Sequence, residues 1–392
     1  MEEINQSLSI FLFLLFIINA LLKSNDRFLI ILTNAMNGVG VIYYAFGGIL
    51  YKTPSDLAIF YMLWISIIIN ISYILYVLYL NRICVTNTHN NNIVLHQNKK
   101  TLYLLLFIFM APLYYFIVFF DAFPIYYMIL GEVVGEGFRP DISGSLPRFY
   151  TFSVFLGSFT FPFLIQLYII EERKVLKLFI VFFLLFFALI MGDKSTLIVI
   201  VFYFIFIKGK ASFKKIILFS IFFISFYLFV KFLYYQELRY ENSYAIVESI
   251  FKRVSIIGSS TFGTYIDYFV LNNGSIPDGF RHIKQFIFYL IYGYEQGGAP
   301  IYFPASFLDK LGLGFFQVLF TGCIFLAILI FRNIIYKQRI VFFPESIKYL
   351  HFYGAILLSQ GFISDIFIRW FIPIICLIIF DRLLLLVKQN YT

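Results

Sequence analysis

The sequence predicts an all-α, polytopic membrane protein, one integral membrane domain over 1–392. Three observations predict it. The residues are 61% hydrophobic and only 13% charged, against roughly 45–50% and 25% in a soluble domain. Apolar runs of about 18 residues or more recur along the whole chain, enough to cross a bilayer as helix. Short polar connections separate most of the runs, and 236–310 is the longest segment without one.

The chain begins MEEINQ. A secretory signal starts with a basic stretch, so the expectation is that no peptide is cleaved and that the first apolar run stays in place. About eleven spans follow from the apolar runs: 7–22, 28–50, 57–80, 101–120, 149–170, 178–192, 195–208, 216–235, 311–331, 349–364 and 367–387. The sixth and seventh are short and have only Gly192–Ser195 between them. They either cross with little tilt or form a re-entrant hairpin.

The basic residues set the expected orientation, because Lys and Arg gather on cytoplasmic connections. One alternate set of connections carries Lys23, Arg27, Arg82, Lys99, Lys100, Arg173, Lys174 and Lys177. It continues through Lys208, Lys210, Lys214, Lys215, Arg332, Lys337, Arg339, Lys348, Arg382 and Lys388. Outside 236–310 the other set holds only Lys52, Arg139, Arg148, Lys194 and Arg369. The expectation is a protein of the cytoplasmic (inner) membrane, with its N-terminus outside and its C-terminus in the cytoplasm. Both long connections, 121–148 and 236–310, then face outside. The net charge of +9 is explained by this topology. With no basic domain outside the bundle, nucleic acid is not an expected partner.

Two segments of the large outer loop have helical periodicity. In Tyr244–Ile257 the apolar positions are Ile246, Val247, Ile250, Phe251, Val254 and Ile257. In Gly279–Tyr292, Phe280, Ile283, Ile287, Leu290 and Ile291 oppose Arg281, Lys284 and Gln285. Both predict amphipathic helices at the membrane surface. Gly- and Pro-rich turns at Asn272–Gly279 and Gly297–Pro304 bound the second one. No repeat of fixed period is visible, against the expectation for an inverted-repeat transporter.

Several kinds of chemistry are unsupported by the sequence. It contains no phosphate-binding Gly-rich loop, no dinucleotide fingerprint, no H-E-x-x-H and no Asp-x-Asp pair. The three cysteines, Cys84, Cys323 and Cys376, lie in or beside apolar runs without metal-like spacing. An enzyme built this way takes a substrate already in the membrane, and no cofactor or dedicated metal is expected.

The outer-face arginines are the strongest positive feature. Arg139 and Arg148 lie in FRPDISGSLPR; Arg239, Arg253 and Arg281 lie in the large loop. A guanidinium binds phosphate or pyrophosphate through two parallel hydrogen bonds. The competing reading has them anchor loops to lipid headgroups or pair with Asp141, Glu237, Glu241 and Glu248. Glu295, His282, Asp267 and Asp278 are the candidate general bases for a hydroxyl acceptor. The loop tyrosines suit sugar rings, and equally suit an interfacial aromatic belt. Asp193, Lys194 and Lys231 lie in or near spans, as do Asp365 and Arg369, whose i, i+4 spacing allows an ion pair.

The span number, the large outer loop late in the chain, and GGAPIYFPASFLDKLGLGFFQVLFTG (Gly297–Gly322) resemble the Wzy-type O-antigen and capsule repeat-unit polymerases. That family has a Gly-Pro-rich turn running into a helix with a glycine near Gly314. It also has a glycine and a basic residue at the start of a mid-chain span. The matching place here is MGDKSTLI (Met191–Ile198), with Lys194 where the family tends to have arginine. The resemblance implies a GT-C-like membrane glycosyltransferase acting at the outer face of the inner membrane. A growing glycan leaves its polyprenyl pyrophosphate carrier and joins a hydroxyl of a second lipid-linked repeat unit. The implied partners are polyprenyl-pyrophosphate-linked oligosaccharides, membrane lipids, a chain-length regulator and a flippase. The implied pyrophosphate ligands are Arg139 or Arg148, and Arg239, Arg253 or Arg281, with Glu295 or His282 as base. The alternatives are an O-antigen ligase, a lipid-linked oligosaccharide flippase or transporter, and a membrane acyltransferase.

Overall fold

The computed structural model describes residues 1–22, 27–83, 110–130, 149–190, 203, 225, 252–280, 282–293, 299–336, 338 and 340–389. Every regular element among them is helical. In a bilayer each backbone polar group must be satisfied within the protein, which a helix does locally.

In chain order the main elements are α1 (Glu2–Leu21), α2 (Arg27–Thr33), α3 (Val39–Ala45) and α4 (Asp56–Ile83). Next come α5 (Phe149–Phe155), α6 (Phe161–Ile170) and α7 (Lys174–Ile190). Then follow α8 (Ile257–Tyr265), α9 (Ile283–Tyr292), α10 (Ala305–Leu311) and α11 (Phe315–Tyr336). The chain closes with α12 (Pro344–Gln360), α13 (Ile363–Ile366) and α14 (Ile372–Gln389). One-turn π-helical segments join several of these end to end: Asn34–Gly38, Leu156–Thr160, Lys252–Ile256, Ile266–Leu271 and Phe367–Phe371.

Among the described residues, five helical stretches are long and apolar enough to cross a membrane: Glu2–Leu21, Asp56–Leu80, Thr151–Ile170, Phe315–Ile335 and Ile363–Leu386. Leu29–Ala45 is a shorter apolar helix. The predicted spans 178–192 and 349–364 fall largely on the helices α7 and α12. Apart from Tyr203 and Ser225, the predicted spans 195–208 and 216–235 lie outside the described residues, as do the first part of 101–120 and most of the loop 121–148.

Helix ends follow ordinary capping chemistry. Glu2 and Glu3 occupy the first turn of α1, where carboxylates complement the helix dipole. The Ser55 hydroxyl accepts the Ala58 N–H at 3.2 Å and so caps α4. α9 ends on Gly293 at φ 75°, a left-handed conformation that glycine adopts without a Cβ clash.

The chain divides into two compact units. The first comprises Met1–Asn91, Asn242–Arg339 and Gly354–Ile366. Its centre is a polar seam. Asn70 and Asn34 exchange two amide hydrogen bonds at 2.9 Å, and Asn19 Nδ2 donates to Asn70 Oδ1 at 2.5 Å. All three asparagines are buried. α11 lies close against α4: a Cβ on Gly322 would meet Ile68 Cγ2 at 2.5 Å.

The stretch read from sequence as the first surface helix of the large loop takes a different course from Lys252 onward. A continuous helical path runs through Lys252–Ile256, α8 and Ile266–Leu271. Every residue from Gly258 to Tyr265 is buried. Ser259 donates to the Asn37 carbonyl at 2.6 Å and Ser260 to the Lys52 carbonyl at 2.9 Å. Small residues let the backbones approach this closely, and their hydroxyls pair across the helices. The second predicted helix is present as α9, with Phe286 and Ile287 buried.

The second unit comprises Asn92–Glu241, Ile340–Tyr353 and Phe367–Thr392. Gln166 Oε1 accepts the N–H groups of Glu345 and Ser346 at 2.7 and 3.0 Å, capping α12 from α6. Asp381, fully buried, accepts the N–H groups of Val341 and Phe342 just before α12. The Tyr203 hydroxyl donates to Glu345 Oε2 at 3.0 Å, and Lys348 pairs with Glu345 Oε1 at 2.9 Å. His351 is buried edge-on to Trp370.

Candidate functional site

In the first unit, α9 is joined to α13 and to the Gly-rich turn through Lys284. Lys284 Nζ lies 2.5 Å from Asp365 Oδ2, both side chains being largely buried. The ammonium also sits 4.9 Å above the Phe362 ring. Asp365 stands at the third position of α13, and its Oδ2 accepts the Phe362 N–H that opens the helix. Asp365 therefore caps a helix as well as pairing with a cation. Ser306 of α10 accepts the next N–H, that of Ile363, at 2.8 Å.

Backbone bonds draw in the Gly-rich turn. The Lys284 carbonyl accepts the Ala299 N–H at 3.0 Å. Thr261 donates to the Pro300 carbonyl, and Tyr265 to the Ala305 carbonyl at 2.6 Å. Tyr302, in this turn, is fully buried, and burial holds its phenol well above its ordinary pKa of 10.0.

Asp267 is committed elsewhere. Its carboxylate accepts both the N–H and the hydroxyl of Ser55, tying the start of α4 to the segment after α8. This engagement counts against Asp267 as the base. Asp278 is exposed.

His282 occupies the N-cap position of α9, exposed and with extended backbone; its side chain makes no capping bond. Its carbonyl accepts the Gln285 and Phe286 N–H groups. Arg253 falls in the π-helical turn Lys252–Ile256. Arg139, Arg148, Arg239, Arg281 and Glu295 lie outside the described residues.

Lys284–Asp365 was legible in sequence only as two separate charges. Helical spacing allows Asp365 to pair with Arg369, and the structure shows Asp365 paired with Lys284, 81 positions away. No periodicity connects residues that far apart.

The connection between α3 and α4 reaches the far end of α9. Tyr44 donates to the Leu50 carbonyl at 2.5 Å and Ser260 to the Lys52 carbonyl. Between these anchors Tyr51 is held at φ 59°. A bulky side chain there costs about 1–2 kcal/mol. Its exposed ring meets Tyr292 edge-on, with centroids 5.8 Å apart.

Comparison with protein-family models, with curated proteins and with solved structures returned no match.

Proposed function

We propose that the protein is a membrane glycosyltransferase that joins polyprenyl-pyrophosphate-linked oligosaccharide repeat units at the outer face of the cytoplasmic membrane. The observation that carries this reading is the convergence on α9. Lys284 pairs with Asp365 and its carbonyl holds the Gly-rich turn, His282 stands at the N-cap, and Tyr292 at the other end of the helix meets the α3–α4 connection. The topology expected from the basic residues has the segment 236–310 outside, where lipid-linked glycans are assembled. The sequence carries no nucleotide-binding motif, which suits a lipid-linked donor.

In this reading an acceptor sugar hydroxyl attacks the anomeric carbon of the donor glycan. The bond from that carbon to the pyrophosphate oxygen breaks, and the electron pair leaves with the polyprenyl pyrophosphate. Arg139, Arg148, Arg239, Arg253 and Arg281 are the candidates to stabilise the charge developing there. The hydroxyl proton passes to Glu295 or His282.

A gel profile of surface polysaccharide from a deletion strain, together with its extracted carrier lipids, tests the reading. A surviving single repeat unit with the ladder gone supports it. Long chains left on the carrier indicate a ligase, and an unchanged profile removes the glycan reading. Alanine at each of the five arginines tests the mechanism: normal ladders from all five variants would sink it.

The buried amides Asn19, Asn34 and Asn70 favour one second reading, a transporter. Polar side chains inside a membrane bundle mark substrate paths. Repeat units trapped on the carrier at the inner leaflet of the deletion strain would favour that reading.

A further inference from the structure

In the second unit the turn between α6 and α7 reads EERK (Glu171–Lys174), and Lys177 follows one turn later. Arg173 and Lys174 are exposed and Lys177 is half-buried. Glu171 is turned to the backbone, where its Oε1 accepts the N–H groups of Glu172 and Arg173 at 3.1 and 3.0 Å. Among the described residues, none of Glu172, Arg173 and Lys174 is in an ion pair. Lys177 Nζ lies 5.4 Å above the Tyr168 ring. The first turn of α7 holds no acid. Cations there face the positive end of the helix dipole, and Lys174 and Lys177 at i, i+3 repel each other. A cluster of one sign without an internal partner draws an anion from outside.

The face of α7 that continues from Lys174 is apolar and open. Val175, Leu178 and Phe182 stand one, four and eight positions on, along one side of the helix. They are 67%, 71% and 58% exposed. The ring contacts of Phe182 are with Phe183 and Phe186 of the same helix. Leu184 and Phe187, on the other side, are buried. The predicted span 178–192 begins on this face, so cations at the membrane edge pass into open apolar surface within about 12 Å of helix. Orienting the chain asks only for charge somewhere in the connection. Unpaired cations set directly above an open apolar face match an anionic headgroup with its acyl chain below. A zwitterionic lipid brings its own cation and complements the cluster less well.

We propose that Arg173 and Lys174, with the Val175–Leu178–Phe182 face of α7, form a binding site for an anionic phospholipid. The guanidinium and the ammonium take the headgroup phosphate, and the open face takes an acyl chain. The inference is independent of the glycosyltransferase reading.

The test places full-length protein in nanodiscs of phosphatidylcholine mixed with phosphatidylglycerol. Native mass spectrometry counts the lipids that stay bound. Wild type is expected to retain phosphatidylglycerol in preference to phosphatidylcholine. The double variant Arg173→Gln/Lys174→Gln should lower that preference about tenfold. Lys174→Arg keeps the charge and should hold it; Leu178→Asn keeps both cations and should weaken it. Phosphatidylglycerol should also raise the unfolding temperature of wild type by mass action and not that of the double variant, whatever their starting stabilities. No preference in wild type overturns the site, as does full preference in the double variant. Loss of preference together with inverted termini, read by protease access in cells, assigns the charges to topology and overturns it. Displacement of the lipid by soluble glycerol phosphate gives the cations to a free phosphate and overturns the lipid as occupant.

Discussion

Lys284 on α9 donates to Asp365 on α13 at 2.5 Å, joining two helices that are 81 positions apart in the chain. The same carboxylate oxygen accepts the Phe362 N–H. Removing the cation leaves a largely buried carboxylate without its Lys284 partner. Lys284→Ala is expected to destabilise by about 1–3 kcal/mol. Asp365→Asn, which keeps an oxygen for the Phe362 N–H, should cost less than Asp365→Ala. A double-mutant cycle on unfolding in denaturing detergent checks this; strictly additive single effects would show that the pair contributes nothing.

Asn70 is the hub of the buried amides, and Asn19 is peripheral. Asn70 Oδ1 accepts from both Asn19 and Asn34, and its Nδ2 donates to Asn34 Oδ1 and to the Ser66 carbonyl. Asn19 Oδ1 is buried with no hydrogen-bond partner among the described residues. Asn70→Leu strands two neighbouring amides and is expected to cost about 1–3 kcal/mol. Asn19→Leu removes an unsatisfied acceptor and leaves the Asn34–Asn70 pair intact. It should therefore cost clearly less, and equal unfolding midpoints for the two variants would contradict the hub arrangement.

Gly322 sets the approach of α11 to α4. A Cβ there would meet Ile68 Cγ2 at 2.5 Å and Ser72 Oγ at 2.7 Å. Gly322→Ala forces the helices apart along a packed seam, and overpacking of this kind costs about 1–3 kcal/mol. Gly322→Leu should prevent accumulation of folded protein. Wild-type yield and a single sharp gel-filtration peak for Gly322→Leu would contradict the close packing.

Tyr302 makes stability depend on alkaline pH. Burial raises its folded-state pKa well above 10.0. The unfolded chain therefore loses this proton first. The contribution is fully present below about pH 10 and is lost as pH rises toward the folded pKa. Tyr302→Phe should remove that part of the alkaline loss, moving the alkaline unfolding midpoint upward relative to wild type. An unchanged midpoint would show that this phenol does not control it.

The membrane class and α9 were legible because each rests on composition or local periodicity. α9 shows a 3.6-residue apolar pattern and a terminal glycine, and the structure ends it at Gly293. α8 shows neither signal. Its IGSSTFGTY has the small polar residues of a loop. Those residues become helix because Ser259 and Ser260 find carbonyl partners 222 and 208 positions away. Asp267, a candidate base by residue type alone, is engaged because the fold brings Ser55 to it.

By itself, then, the sequence determined that this is a helical membrane protein. Apolar length and charge placement are properties of the chain, and the bilayer answers them directly. The tertiary structure alone decided which polar groups meet. Lys284 faces Asp365, Ser306 receives Ile363, and Tyr51 is pressed onto Tyr292. The physical reason is that hydrogen bonds and ion pairs act only over a few ångströms. Residues remote in sequence acquire partners only after helix packing has placed them side by side.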